Sequence, residues 1–216
     1  MKIALVTPYD YPFPGGVTEH IRHLDREFRA RGHETRIIAP SSEPSSKLEP
    51  NVIRVSDELQ TLTVNGSTAH IALAPSVVRQ VAQALAREHF DVVHLHEPAV
   101  PLVCLAALCC SCAVNVGTFH GLNERNILFR QGLAFMKWLY SRLHGHIFVS
   151  GALRDSVTRY LPGEFRVIPN GVDCRHFGSP EIQKIAEFDD GRPNILFVGR
   201  LDERKGFRTL LGAFEQ

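Results

Sequence analysis

Lys2-Ile3-Ala4-Leu5-Val6-Thr7-Pro8-Tyr9 is the stretch that decides the fold, read together with the residues behind it. Four consecutive apolar residues, Ile3 to Val6, fit a strand buried on both faces, as in a parallel sheet. A loop follows, Asp10-Tyr11-Pro12-Phe13-Pro14-Gly15-Gly16. Val17, Ile21, Leu24 and Phe28 then recur at helical spacing along one face. Gly32 stands where a C-terminal cap is needed. Residues 35–40 (Thr-Arg-Ile-Ile-Ala-Pro) read as a second strand, so residues 1–40 form one strand–loop–helix–strand unit.

The alternation continues outward. Residues 41–50 are rich in Ser, Pro and Glu and read as a loop. Short strands are expected over 51–55, 59–64 and 68–73, with Asn65-Gly66 turning between the last two. Pro75 opens a helix that runs to about His89. Residues 91–96 (Asp-Val-Val-His-Leu-His) and 113–119 read as strands on either side of an apolar helix over 101–112. A long helix over 124–143, a strand over 146–149, a helix capped by Ser150 and a strand over 165–168 complete the series. Strands alternating with helices predict an α/β fold, a doubly wound Rossmann-like parallel sheet with right-handed crossovers. After a charged stretch the pattern restarts, with a buried-type strand over 194–198 and a helix beginning at Phe207. The expected organisation is an N-terminal domain over 1–180, a linker over 181–193 and, over 194–216, the truncated start of a second domain. One strand and part of a helix cannot bury a core of their own.

Composition narrows the function. The chain has 24 basic and 23 acidic residues, a net charge of +1, so bulk charge gives no reason to expect a nucleic-acid partner. No apolar run reaches the ~18 to 20 residues a membrane-spanning helix needs. The N-terminus reads as a strand and not a signal peptide, and a cytoplasmic protein is expected. The five cysteines are odd in number, and four crowd one apolar segment, which argues against a disulfide framework. Cys109-x-x-Cys112 lacks a second ligand pair for zinc, so these residues are read as small buried helix residues.

In a doubly wound sheet, ligands bind outside the carboxyl ends of the strands. Those ends carry Thr7-Pro8-Tyr9, His94-Leu95-His96-Glu97, Thr118-Phe119-His120 and Val149-Ser150. Gly15-Gly16 stands before a helix, where backbone N–H groups favour an anion; the plain alternative is a flexible turn. His120 ends a strand at that edge, and an imidazole there can hydrogen-bond a sugar hydroxyl or steady developing charge. His94 and His96 share a strand face, and packing alone would explain either. Glu97 is a candidate for an acceptor hydroxyl. Arg200 and Lys205 flank a tight loop and could grip a diphosphate, against the alternative of a solvated charged loop. The helix over 124–143 mixes Arg125, Arg130, Lys137 and Arg142 with Phe129, Phe135, Trp138 and Leu139. Such a helix either faces the core with a basic outer side or lies on an anionic membrane surface.

Taken together, these segments resemble family-four glycosyltransferases, most closely the phosphatidylinositol mannosyltransferase branch. The resemblance is carried by Pro8-Tyr9, Pro14-Gly15-Gly16-Val17, His94-Leu95-His96-Glu97-Pro98, Thr118-Phe119-His120, Val149-Ser150, Ile168-Pro169-Asn170-Gly171-Val172-Asp173 and the loop from Gly199 to Gly206, in family order. It implies a GT-B fold of two Rossmann-like domains and retaining hexosyl transfer, mannosyl in that branch, from a nucleotide-sugar such as GDP-mannose or a UDP-sugar to a lipid or glycan acceptor. It implies that Gly15 and Gly16 approach the donor diphosphate, that His120 contacts the transferred sugar as the catalytic residue, and that Arg200 and Lys205 hold the diphosphate with no metal and no separate cofactor. Tyr9, Asn65 and Glu97 match the acceptor side, with a peripheral contact at the inner face of the membrane as a companion expectation. The family's Glu-x7-Glu segment is absent from this sequence, and Gly121-Leu122-Asn123-Glu124-Arg125 after His120 has no lysine. The alternative reading is a non-catalytic or vestigial binding module without the donor domain; an epimerase on the same fold is a third.

Overall fold

The computed structural model describes residues 1–64, 67–121, 133–158, 163–182, 185–199, 201 and 203–215. The chain divides into two compact units, Met1–Leu62 with Ala69–Asn170, and Thr63–Thr68 with Gly171–Gln216.

The first unit holds a seven-stranded sheet in which every recorded strand pair is parallel. Its strands are β1 (Lys2–Val6), β2 (Glu34–Pro40), β3 (Val52–Ser56), β6 (Val92–His96), β7 (Val114–Phe119), β8 (Gly145–Phe148) and β9 (Arg166–Val167). They lie in the order β3-β2-β1-β6-β7-β8-β9. Strands β4 (Gln60–Val64) and β5 (Ser67–Ile71) form a separate pair, and the Asn65-Gly66 turn expected between them lies outside the described residues. The helices are α1 (Gly16–Ala30), α2 (Ser76–Glu88), α3 (Val103–Cys110), α4 (Leu133–Tyr140) and α5 (Gly151–Val157). The first half of the long helix expected over 124–143 falls on residues 122–132, also outside the described set.

The apolar run of β1 is buried on both sides, as its sequence requires. Ile3 and Leu5 pack with Ile21, Ile37 and Ala39, and with Val17, Leu24 and Phe28 of α1. Ala4 and Val6 face the opposite core, which α2 and α3 cover with Val77, Val81, Leu85, Val103, Ala107 and Leu108. A polar anchor joins α1 to the sheet: the buried Asp25 carboxylate accepts from the Thr35 hydroxyl and from Asn51 Nδ2. Gly32 closes α1 with φ +81°, a left-handed conformation that glycine adopts without strain. Ser150 caps α5 by accepting from the Leu153 N–H at 3.3 Å.

Two expectations change. Only Cys104 of the five cysteines is buried; Cys109, Cys110 and Cys112 are exposed, because α3 ends at Cys110 and its last turn meets solvent. The strand expected over 194–198 is not formed. In the second unit these residues run without ladder pairing, with Ile195 64%, Leu196 84% and Val198 82% exposed. Apolar sequence alone does not make a strand, since its N–H and C=O groups need a neighbouring strand and none is paired to it among the described residues. The expected helix is present as α7 (Phe207–Phe214), after a short α6 (Cys174–Phe177).

Candidate active site

The strand order reverses between β1 and β6, because the chain moves outward from β1 to β2 and β3 and then returns to the other side of β1. The carboxyl ends of β1 and β6 therefore flank the crevice where such sheets bind ligands. Register fixes which side chains line it. Leu5 pairs with His94, and His96 with Thr118. Residues paired in a parallel sheet share a face, so His94 and His96 stand on the face that carries Leu5, the one α1 covers.

His20 reaches this group from α1, one helical turn after Gly16. Its ring lies 4.9 Å from that of His120 and 5.5 Å from that of His96, centroid to centroid. His96 Nδ1 and His120 Nε2 are 3.1 Å apart, and His94 Nε2 meets Thr118 Oγ1 at 2.7 Å. Burial disfavours the charged form of each ring, and the neighbouring imidazoles add to this. His94 is held down to about 3, His120 to about 4, and His96 well below the ordinary histidine range. Four imidazoles are thus neutral at pH 7, each able to donate one hydrogen bond and accept another.

Glu97 follows β6 with φ +57°, a left-handed conformation uncommon for a non-glycine residue. Its buried carboxyl accepts from the His120 N–H at 2.8 Å and from the Gly121 N–H. This ties the end of β6 to the end of β7 and fixes the backbone of His120. Burial pushes the Glu97 carboxyl up to about 8, although the two backbone bonds pull the other way. Tyr9 is half-buried after β1, and burial, with the Glu97 charge nearby, raises its phenol.

Gly15 precedes α1 in extended conformation and offers no side-chain cap. The first intrahelical bond runs from the Glu19 N–H to the Gly15 carbonyl at 2.9 Å, so helix geometry leaves the N–H groups of Gly16, Val17 and Thr18 for a ligand. A Cβ added at Gly15 or Gly16 would meet no protein atom within 4 Å.

Gly16, His20, His96, His120 and Glu97 therefore gather at one sheet edge. Lys205 belongs to the second unit, exposed in a turn over Glu203–Lys205. Arg200 and Asn65 lie outside the described residues. Sequence reasoning missed His20 altogether. Its signal was the Gly16-x-x-x-His20 spacing, which puts the imidazole on the helix face above the glycine.

A profile for Glycosyltransferase Family 4 matches residues 14–176. The chain is 34% identical over 218 residues to the phosphatidyl-myo-inositol mannosyltransferase of Mycolicibacterium smegmatis, covering 99% of this chain and 54% of that protein. It is 33% identical to the protein of the same name from Propionibacterium freudenreichii, covering 99% and 57%. The chain spans about half the length of these curated relatives. Among solved structures, sucrose-phosphate synthase from Thermosynechococcus elongatus superposes with a TM-score of 0.66 at 18% identity, over 99% of this chain and 59% of that one. At that identity the likeness concerns the fold alone.

Proposed function

The chain belongs to Glycosyltransferase Family 4, and from that premise we propose that it is the acceptor-binding half of a retaining hexosyltransferase that takes its sugar from a nucleotide donor. The observation that carries the reading is the junction of Gly16, His20 and His120 at the switch point of the sheet. The free N–H groups and positive end of α1 suit a diphosphate. Open space over Gly15 and Gly16 supports this, because nothing in the protein's own packing calls for glycine there. His120, kept neutral by burial, can hydrogen-bond the transferred sugar without repelling the positive charge that develops on its anomeric carbon. Glu97 holds His120 in place through its backbone. Arg200 and Lys205 neutralise the departing diphosphate, which makes a metal unnecessary for that step.

The mannosyltransferase relatives favour mannose and a phosphoinositide-type lipid acceptor, with Tyr9, Asn65 and Glu97 on the acceptor side. A peripheral membrane contact would suit such an acceptor; no described helix is long and apolar enough to cross a membrane. The domain reading stands with this proposal: residues 1–180 bind acceptor, 181–193 link, and 194–216 begin the donor-binding domain. The test is radiolabelled sugar transfer by a version extended to the length of the relatives. His120→Ala and Lys205→Ala should each lower turnover by about a hundredfold or more; undiminished transfer in both would refute the assignment.

A further inference from the structure

We propose that His20, His96 and His120 form a binding site for a borderline divalent cation of the Zn2+ class, and that the cation, when bound, takes His120 away from the sugar. Among the described residues these three present ligand atoms that all lie within 4.8 Å of one another. The tightest pair, His96 Nδ1 and His120 Nε2, is 3.1 Å apart. Two nitrogens bound tetrahedrally at ~2.0 to 2.1 Å from zinc stand ~3.3 Å apart, so this pair already has the required separation. His20 has only to swing inward, and it sits half-buried on a helix and not on the sheet.

Two further observations bear on the site. His96 is fully buried, and its Nε2 has no hydrogen-bond partner among the described residues. In the neutral His96–His120 pair one ring donates and the other accepts, so either tautomer leaves a polar nitrogen of His96 unsatisfied. A cation on Nδ1 would fix His96 as the Nε2–H tautomer and leave that donor unpaired, a cost that the nitrogen–metal bonds must exceed. Second, the chemistry selects the ion. Three imidazoles and no carboxylate suit zinc, cobalt, nickel or copper and reject magnesium and calcium. Glu97 anchors the His120 backbone behind the site.

Metal binding goes beyond the transferase reading, and its test needs no sugar donor. Co2+ is titrated into the purified 216-residue chain, and its visible absorption reports four-coordinate binding. The expected result is one equivalent bound, displaced by Zn2+. His20→Ala should weaken it by more than the roughly 10- to 100-fold that loss of an outer partner costs. His96→Ala is run beside it, with circular dichroism to verify its fold. Because His20 is half-buried, its variant keeps the test decisive if His96→Ala does not fold. A Cys109→Ser, Cys112→Ser variant separates thiolate binding by the exposed cysteines. Absence of four-coordinate Co2+, or binding that survives His20→Ala and disappears in the cysteine variant, would overturn the proposal.

Discussion

His94, His96, His120 and Glu97 are polar groups that burial holds in their neutral forms, and this makes the stability of the protein depend on pH in a defined way. An unfolded chain restores histidine to ~6.5 and glutamate to ~4.3. Between about pH 4.5 and 6.5 it binds three more protons on these histidines and one fewer on Glu97, a net of about two. Stability therefore falls as the pH drops through that window, by about 1.4 kcal/mol per pH unit for each net proton. Above pH 6.5 only Glu97 differs, with its folded value raised to about 8, so stability declines more gently up to that pH. Urea denaturation at pH 5, 6.5 and 8 should show a maximum near the middle value; a flat profile would mean the histidines are not buried neutral. At this scale the sequence was legible in part. His120 and Glu97 were visible because they end strands. The sequence points Glu97 toward an acceptor hydroxyl, whereas its bonds to the His120 and Gly121 N–H groups depend on a loop conformation that residue identity does not encode.

The elements were the most legible level, because hydrophobic periodicity acts locally. Ile3-Ala4-Leu5-Val6 became β1 with both faces buried, and Val17, Ile21, Leu24 and Phe28 became the inner face of α1. His20 was not found, since its neighbours come from β6 and β7, far along the chain, and only the crossover brings them together. The failure at 194–198 has the same cause with opposite sign: a strand is a relation between segments, and its partners are not paired to it here. The start of α1 yields a sharp prediction. Gly16→Ala should leave the melting temperature unchanged or slightly raised, because alanine favours helix and its Cβ meets open space. The same change should weaken nucleotide-sugar binding by the extended version by about tenfold, because the added methyl holds the diphosphate off the N–H groups of the first turn by an amount worth about one hydrogen bond. Calorimetry measures both quantities; a loss of stability with unaltered binding would show that the glycine serves the fold.

For the whole molecule, seven strands in the order β3-β2-β1-β6-β7-β8-β9 explain why chemistry collects at one place. The reversal between β1 and β6 opens a crevice, and α1 lays its N-terminus and His20 over that crevice. If residues 194–198 are the first strand of a donor-binding domain, their amides should exchange rapidly in this chain and become protected in a version extended to the length of the relatives. Equal, rapid exchange in both would remove the domain assignment. The central claim, that the edge built by Gly16 and His120 holds the donor's diphosphate and sugar, is tested most directly by a crystal structure of the extended version with an unreactive nucleotide-sugar analogue. The account predicts diphosphate oxygens about 3 Å from the first N–H groups of α1 and the hexose against the His120 ring. A donor bound elsewhere, with Gly16 and His120 bare, would contradict it.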